Sequence, residues 1–188
     1  MTQVKTYANL TGTANTPLSR VKCMLGAWNN FSLPGKIRTF LFKFYNNTLG
    51  LNSRVAKFNN TVDPGCTFCS ITNTRPVMKE SFAHLFYYCE TTNKIIAKFF
   101  QRYFTIDTPG INTFFSGNIS IKEDENQSLQ RALDVLRFHI WTCKLEKKIL
   151  VISSLFSEIN DTMGTIYAAS TKIKNKANSS DFFSRNGE

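Results

Sequence analysis

The spacing of four residues between Cys66 and Cys89 limits what this chain can fold into more than any other feature. Cys66 and Cys69 form a C-x-x-C pair, His84 follows after fourteen intervening residues, and Cys89 comes after four more. Zinc takes four sulfur and nitrogen ligands in a tetrahedron, and a tight C-x-x-C turn presents two thiolates to one ion. Pro64 and Gly65 supply a chain reversal just before it. KESFAHLFYY reads as one or two helical turns starting near Lys79, which aim the His84 ring at the ion and leave Cys89 just past the helix end. Cys66, Cys69, His84 and Cys89 are therefore the predicted ligands of a structural Zn2+. The alternative is a set of unrelated buried residues, since free cysteine is commonly buried and a lone histidine is commonly a core residue. It fits poorly with three of five cysteines and one of two histidines falling in one short window. Catalysis at the ion is the weaker reading, because four protein ligands leave no open position.

The charge is distributed as unevenly as the cysteines. The 188 residues carry a net +10, yet no Asp or Glu precedes Asp63, while Lys5, Arg20, Lys22, Lys36, Arg38, Lys43, Arg54 and Lys57 do. The remaining fifteen basic and thirteen acidic residues nearly balance. An acid-free basic segment interleaved with Phe, Tyr and Trp suits a polyanion: phosphates pair with Lys and Arg while aromatic faces stack on bases. A solvated basic face is the plain alternative, and an anionic membrane surface ranks below nucleic acid. A hydrophobic share of 42% with seventeen phenylalanines predicts an aromatic-rich core. No apolar run is long enough to span a bilayer, and MTQVKTYANLTGT lacks a signal-peptide core. These features predict a soluble nuclear or cytoplasmic chain that is not secreted. An odd cysteine count containing a C-x-x-C fits a reducing compartment.

In chain order, residues 1–18 read as a polar flexible segment, and Val21, Met24, Leu25 and Trp28 recur at helical spacing. Ile37, Phe40, Leu41, Phe44 and Leu49 mark an apolar stripe through PGKIRTFLFKFYNNTLG, with Gly50 as a C-cap and Lys36, Arg38 and Lys43 off the stripe. LNSRVAKFNN offers Asn52 or Ser53 as an N-cap, turns Val55 and Phe58 inward, and leaves Arg54 and Lys57 toward solvent.

The succession LPGKIRTFLFKFYNNTLGLNSRVAKF, DPGCTFC and KESFAHLFYYC resembles the zinc-binding domain found downstream of the polymerase in non-LTR retrotransposon reverse transcriptases. The matching positions are Pro34, Lys36, Arg38, Phe40, Asn47, Leu49, Asn52, Arg54, Cys66, Cys69, Glu80, His84 and Cys89, within residues 28–100. Gly35 separates Pro34 from Lys36, and no Tyr-x-Asp-Asp polymerase motif occurs, so polymerase chemistry is not expected in this chain. The resemblance implies a non-catalytic module holding template RNA or target DNA beside a reverse transcriptase core or ribonucleoprotein proteins. Lys36, Arg38, Lys43, Arg54, Lys57 and Arg75 are the expected phosphate contacts.

After Cys89, Ile95, Ile96, Phe99, Phe100, Tyr103 and Phe104 form a core stripe with Thr91 or Thr92 as N-cap, and TIDTPGINTFFSGNIS reads as a loop pinned by Phe114 and Phe115, with base stacking the other use of those rings. From Glu123, the offset lines Leu129, Leu133, Leu136, Ile140, Cys143 and Ile149, Ile152, Phe156, Ile159, Met163, Ile166 imply either a turn near Lys147 and Lys148 or two faces of one long helix. His139 and Cys143, four apart, read as a packed pair rather than a second metal site. The predicted fold is mainly α: a flexible segment over 1–18, a small zinc-stapled helical domain over 19–117, a long helix or helical hairpin over 118–169, and a flexible tail over 170–188. Two further function classes are carried: an assembly subunit or domesticated remnant acting through protein contacts, and a zinc hydrolase with Glu80 as base. For Glu80, helix N-terminal stabilisation is the simpler role.

Overall fold

A computed structural model of the chain describes residues 33–73, 76–104, 110–116 and 123–185. The N-terminal segment, the helix predicted around Val21–Trp28 and Arg75 lie outside them. The fold is mainly α, in the order α1 (Gly35–Tyr45), α2 (Asn52–Val55), α3 (Thr67–Ile71), a π-helical turn (His84–Tyr88), α4 (Glu90–Phe104), α5 (Ile111–Ser116), α6 (Glu123–Leu145) and α7 (Ile152–Arg185). Among the described residues the only strand-like pairing is an isolated antiparallel bridge between Gly65 and Lys79.

Helix α1 buries the stripe its periodicity predicts: Ile37, Phe40, Leu41 and Phe44 face the core, each worth about 1.5–3 kcal/mol relative to exposure. Its end differs from the expectation. Asn47, not Gly50, takes the left-handed conformation (φ 52°), with Asn47 N–H on the Phe44 carbonyl at 3.0 Å and Thr48 N–H on the Lys43 carbonyl at 2.8 Å. This paired closure satisfies the last helical carbonyls, and asparagine tolerates the backbone it needs. Lys147 (φ 51°) closes α6 in the same way, through Lys147 N–H on Lys144 and Lys148 N–H on Cys143. The turn near Lys147 and Lys148 is thus real, and α6 and α7 pack together as a helical hairpin.

One hydrophobic core joins α1, the Cys/His segment, α4, α5, α6 and α7. The rings of Phe44, Phe82 and Phe86 meet with centroids 4.7–5.1 Å apart. Within this core Arg137 is fully buried. Its guanidinium pairs with Asp134 at 2.7 Å, lies 5.3 Å from the Phe44 ring centroid and 5.2 Å from that of Phe114, and donates to the Phe114 carbonyl. Burial pushes the Asp134 carboxyl upward, and Arg137 opposes that shift. Arg137 thereby fastens α5 to α6. The segment predicted as a loop contains this short helix, with Phe114 buried and Phe115 stacked 6.0 Å from Phe44 and tilted 5.3 Å from Phe82, so both rings pin it to the core.

Three further expectations are corrected. Phe58 does not turn inward: it is 89% exposed, because α2 is a single turn ending at Val55 and the chain leaves the core there. Arg54 is half-buried and donates to the Leu49 carbonyl at 3.2 Å instead of pointing to solvent. Helix α7 runs to Arg185, past the Ser170 boundary of the predicted tail. No proline or glycine interrupts residues 165–185, so nothing in the local sequence breaks the helix there. Among the described residues no helix is long and apolar enough to cross a membrane.

Candidate metal centre

The two halves of the centre are built by different local rules. In the first, Gly65 N–H donates to Asp63 Oδ1 at 2.8 Å, and Cys66 N–H donates to the Met78 carbonyl at 2.8 Å while Glu80 N–H donates to the Pro64 carbonyl at 2.9 Å. These bonds fold the C-x-x-C turn against the strand-like stretch before His84. The close approach needs glycine: a Cβ on Gly65 would stand 2.9 Å from Val77 Cγ1 and 3.1 Å from Asp63 Oδ1. Lys79 sits in this bridge and not in a helix, so the helical turn predicted from Lys79 starts only after Ser81.

In the second half the turn is π-helical. On an α-helix, residues five apart point about 140° away from one another. Here Cys89 N–H reaches back five residues to the His84 carbonyl at 2.7 Å, and this wider ring brings His84 and Cys89 toward one point. The chain then leaves extended at Cys89 (ψ 128°), as the sequence predicts. Helix α4 starts at Glu90, so Cys89, not Thr91 or Thr92, occupies the position ahead of it. Thr92 is buried and donates to the Leu85 carbonyl at 2.9 Å.

The four predicted ligands meet. All four ligand atoms lie within 4.8 Å of one another. Cys66 Sγ is 3.9 Å from Cys89 Sγ, Cys69 Sγ is 3.8 Å from Cys89 Sγ, and Cys69 Sγ is 3.3 Å from His84 Nε2. An ion at about 2.3 Å from each sulfur demands sulfur–sulfur edges of ~3.8 Å in a tetrahedron, so the donor set fits one ion. All three cysteines are free thiols and buried, and His84 is half-buried. The hydrogen bond to the Cys89 sulfur and burial push the Cys66 thiol up, and burial with the neighbouring Cys89 charge pushes Cys69 up. Cys89 is lowered to about 5 by the hydrogen bond from Cys66 and by the Thr92 and Thr91 backbone N–H groups at the start of α4. A cation is held by the thiolate forms, so its binding releases thiol protons.

Glu80 is the residue whose full role the sequence did not disclose. Its carboxylate is fully buried; it accepts three hydrogen bonds, from Asn52 N–H at 2.7 Å, Thr67 N–H at 3.1 Å and Thr67 Oγ1 at 2.9 Å, and forms an ion pair with Lys144 Nζ at 3.4 Å. It stabilises helix N-termini as expected, but those of α2 and α3 and not its own turn. The Asn52 side chain completes the junction by donating to the Gly65 carbonyl at 2.9 Å and to Thr67 Oγ1 at 3.1 Å. Glu80 is the only acidic residue between Asp63 and Glu90, a signal that marks it out beside its place in the resemblance.

The cationic candidates are not gathered as evenly. Lys36, Lys43 and Lys57 are exposed, and Lys36 Nζ stands 5.6 Å from the Phe138 ring centroid. Lys36 and Lys43, seven apart, share one flank of α1, while half-buried Arg38 falls on the other side of the buried stripe, about half a turn away. His139 Nδ1 lies 3.0 Å from Glu158 Oε2 and its Nε2 lies 3.3 Å from Thr162 Oγ1, so its recorded polar partners are on α7. Among the described residues the Cys66–Cys89 quartet is the only grouping able to hold a metal ion. No family model, curated protein or solved structure matches this chain.

Proposed function

We propose that this chain is a non-catalytic, zinc-dependent nucleic-acid-binding module that holds a strand of template RNA or target DNA, as implied by its resemblance to the zinc domain of non-LTR reverse transcriptases. The observation that carries the reading is the convergence of Cys66, Cys69, His84 and Cys89, their ligand atoms within 4.8 Å of one another, in a chain whose preceding segment is free of acids. Three thiolates and one imidazole suit zinc, and four protein ligands leave no position for a substrate or water. When bound, zinc supplies a fixed cross-link between the C-x-x-C turn and the start of α4. Asn52 and Glu80 pass that rigidity to α2, and Lys36, Lys43 and Lys57 offer exposed charges to phosphates on the adjoining surface. Arg54, held by the Leu49 carbonyl, acts as a fixed cation, and Arg38, on the opposite flank of α1, is a further contact.

Binding of a labelled single strand, followed by anisotropy across a salt series, tests the reading. The triple variant K36Q/K43Q/K57Q should bind more weakly with a shallower salt slope, since each lost phosphate contact removes about 0.7 from the slope. An unchanged slope removes this surface from the account. A second reading, an assembly subunit, is favoured by the exposed Leu145, Ile149 and Val151 at the α6–α7 turn. Retention on a protein partner with no affinity for nucleic acid would select it.

A further inference from the structure

Two hollows lie end to end along α4. The first, about 310 Å³, is lined in part by Thr91, Lys94, Ile95 and Leu150, and it shares Ile152 with the second, about 650 Å³. The larger has Lys98, Gln101 and Arg102 on one wall and Val151, Ile152 and Phe156 on the other. Together they make a trough that starts beside the metal centre, at Thr91, and follows α4 to Arg102.

The trough is cationic on one side and apolar on the other. Lys94, Lys98 and Arg102 recur every four residues, which sets successive charges ~6 Å apart along the helix. Lys94 is paired with Glu90 at 2.6 Å. Lys98 and Arg102 are exposed and, among the described residues, neither has a carboxylate within 4.0 Å. Arg102 is steadied by the Phe156 and Tyr103 rings, 5.5 and 5.9 Å away. Across the trough Val151 is 52% exposed and Ile152 is half-buried. A duplex offers a protein mainly phosphates at this distance scale, whereas a single strand offers phosphates along one edge and sugar and base faces along the other. The two walls match the second pattern.

We propose that the trough between α4 and the start of α7 binds the backbone of a single nucleic-acid strand, with Lys98 and Arg102 on successive phosphates and Val151 and Ile152 against the sugars and bases. This site is separate from the α1–α2 cations and rests on the nucleic-acid reading above. The test uses the full metal-loaded chain and a labelled poly(U) strand, with three variants at exposed positions: K98Q/R102Q, R102K and V151E. K98Q/R102Q should bind roughly tenfold more weakly at moderate salt, with the slope shallower by about 1.4 for two lost contacts. R102K should stay near the parent, and V151E, which places a negative charge on the opposite wall, should weaken binding without touching either cation. Unchanged affinity in both K98Q/R102Q and V151E, while K36Q/K43Q/K57Q weakens, overturns this site and leaves the proposed function standing. No binding by the parent chain overturns both. Loss of poly-glutamate binding in K98Q/R102Q with strand binding intact would assign the trough to an acidic polypeptide and overturn the proposal.

Discussion

Lys144 Nζ stands 3.4 Å from Glu80 Oε1 and donates to the Gly50 carbonyl at 3.1 Å, with both side chains removed from solvent. Through this one contact the helical hairpin is tied to the carboxylate that caps α2 and α3. The Trp141 ring, 4.9 Å from the ammonium, closes the remaining side.

All four of the contacts on the Glu80 carboxylate are donors, so an amide nitrogen has no acceptor to face. Glu80→Gln should therefore destabilise the fold by about 3–5 kcal/mol, the cost of leaving a buried cation uncompensated. Lys144→Met, which leaves three donors on the carboxylate, should cost less. The double variant should cost less than the sum of the two, by urea unfolding of the metal-loaded chain. Strict additivity would mean that the two groups do not sense each other.

A second prediction concerns acid. Burial lowers the His139 pKa below its usual 6.5, Glu158 opposes this, and Lys36 adds to it. A base whose folded pKa is depressed gains its proton more readily when unfolded, so its contribution is intact above about 6.5 and is lost as pH falls below that value. His139→Gln should flatten the stability difference between pH 7.5 and 5.5 relative to the parent. Taking the difference between the two chains cancels acid effects at the metal centre, which both share. Parallel curves would show that Glu158 keeps the ring charged in the fold.

Much of this architecture is legible in the sequence where the signal is local. The α1 stripe is buried as its spacing predicts because three- and four-residue steps follow from helix geometry alone. The metal quartet is legible because few other uses demand C-x-x-C and H-x4-C in one window. What escaped is long-range or conformational. Glu80 reaches Asn52, 28 residues away, and nothing in its neighbours announces that. Asn47 and Lys147 adopt left-handed backbones that glycine would take more readily, so Gly50 drew the expectation. Phe58 is apolar at helical spacing from Val55, but its helix ends before reaching it.

Gly65 gives a third prediction. A methyl group there meets Val77 and Asp63, so Gly65→Ala should cost about 1 kcal/mol, the scale of a modest steric strain, and should lower metal affinity by shifting the turn that presents Cys66. Val77 is exposed, and Gly65→Ala/Val77→Ala should recover part of both losses in thermal melting and chelator competition. Recovery of neither would locate the strain at the Asp63 turn instead.

The ligand set gives a fourth. Cys89→Ser should abolish stoichiometric metal and lower the melting temperature, whereas Cys143→Ser, which changes a half-buried thiol outside the quartet, should leave metal content unchanged. Metal analysis of purified chains with free-thiol titration reads both.

The central claim is that one ion is held by three sulfurs and one imidazole. X-ray absorption at the zinc edge measures this directly. The account predicts one zinc per chain with a first shell of three sulfurs at about 2.3 Å and one nitrogen at about 2.0–2.1 Å, the sulfur count changing in Cys89→Ser. A chain that purifies without metal and binds none, or whose ion has an oxygen-rich shell indifferent to Cys89→Ser, would contradict it.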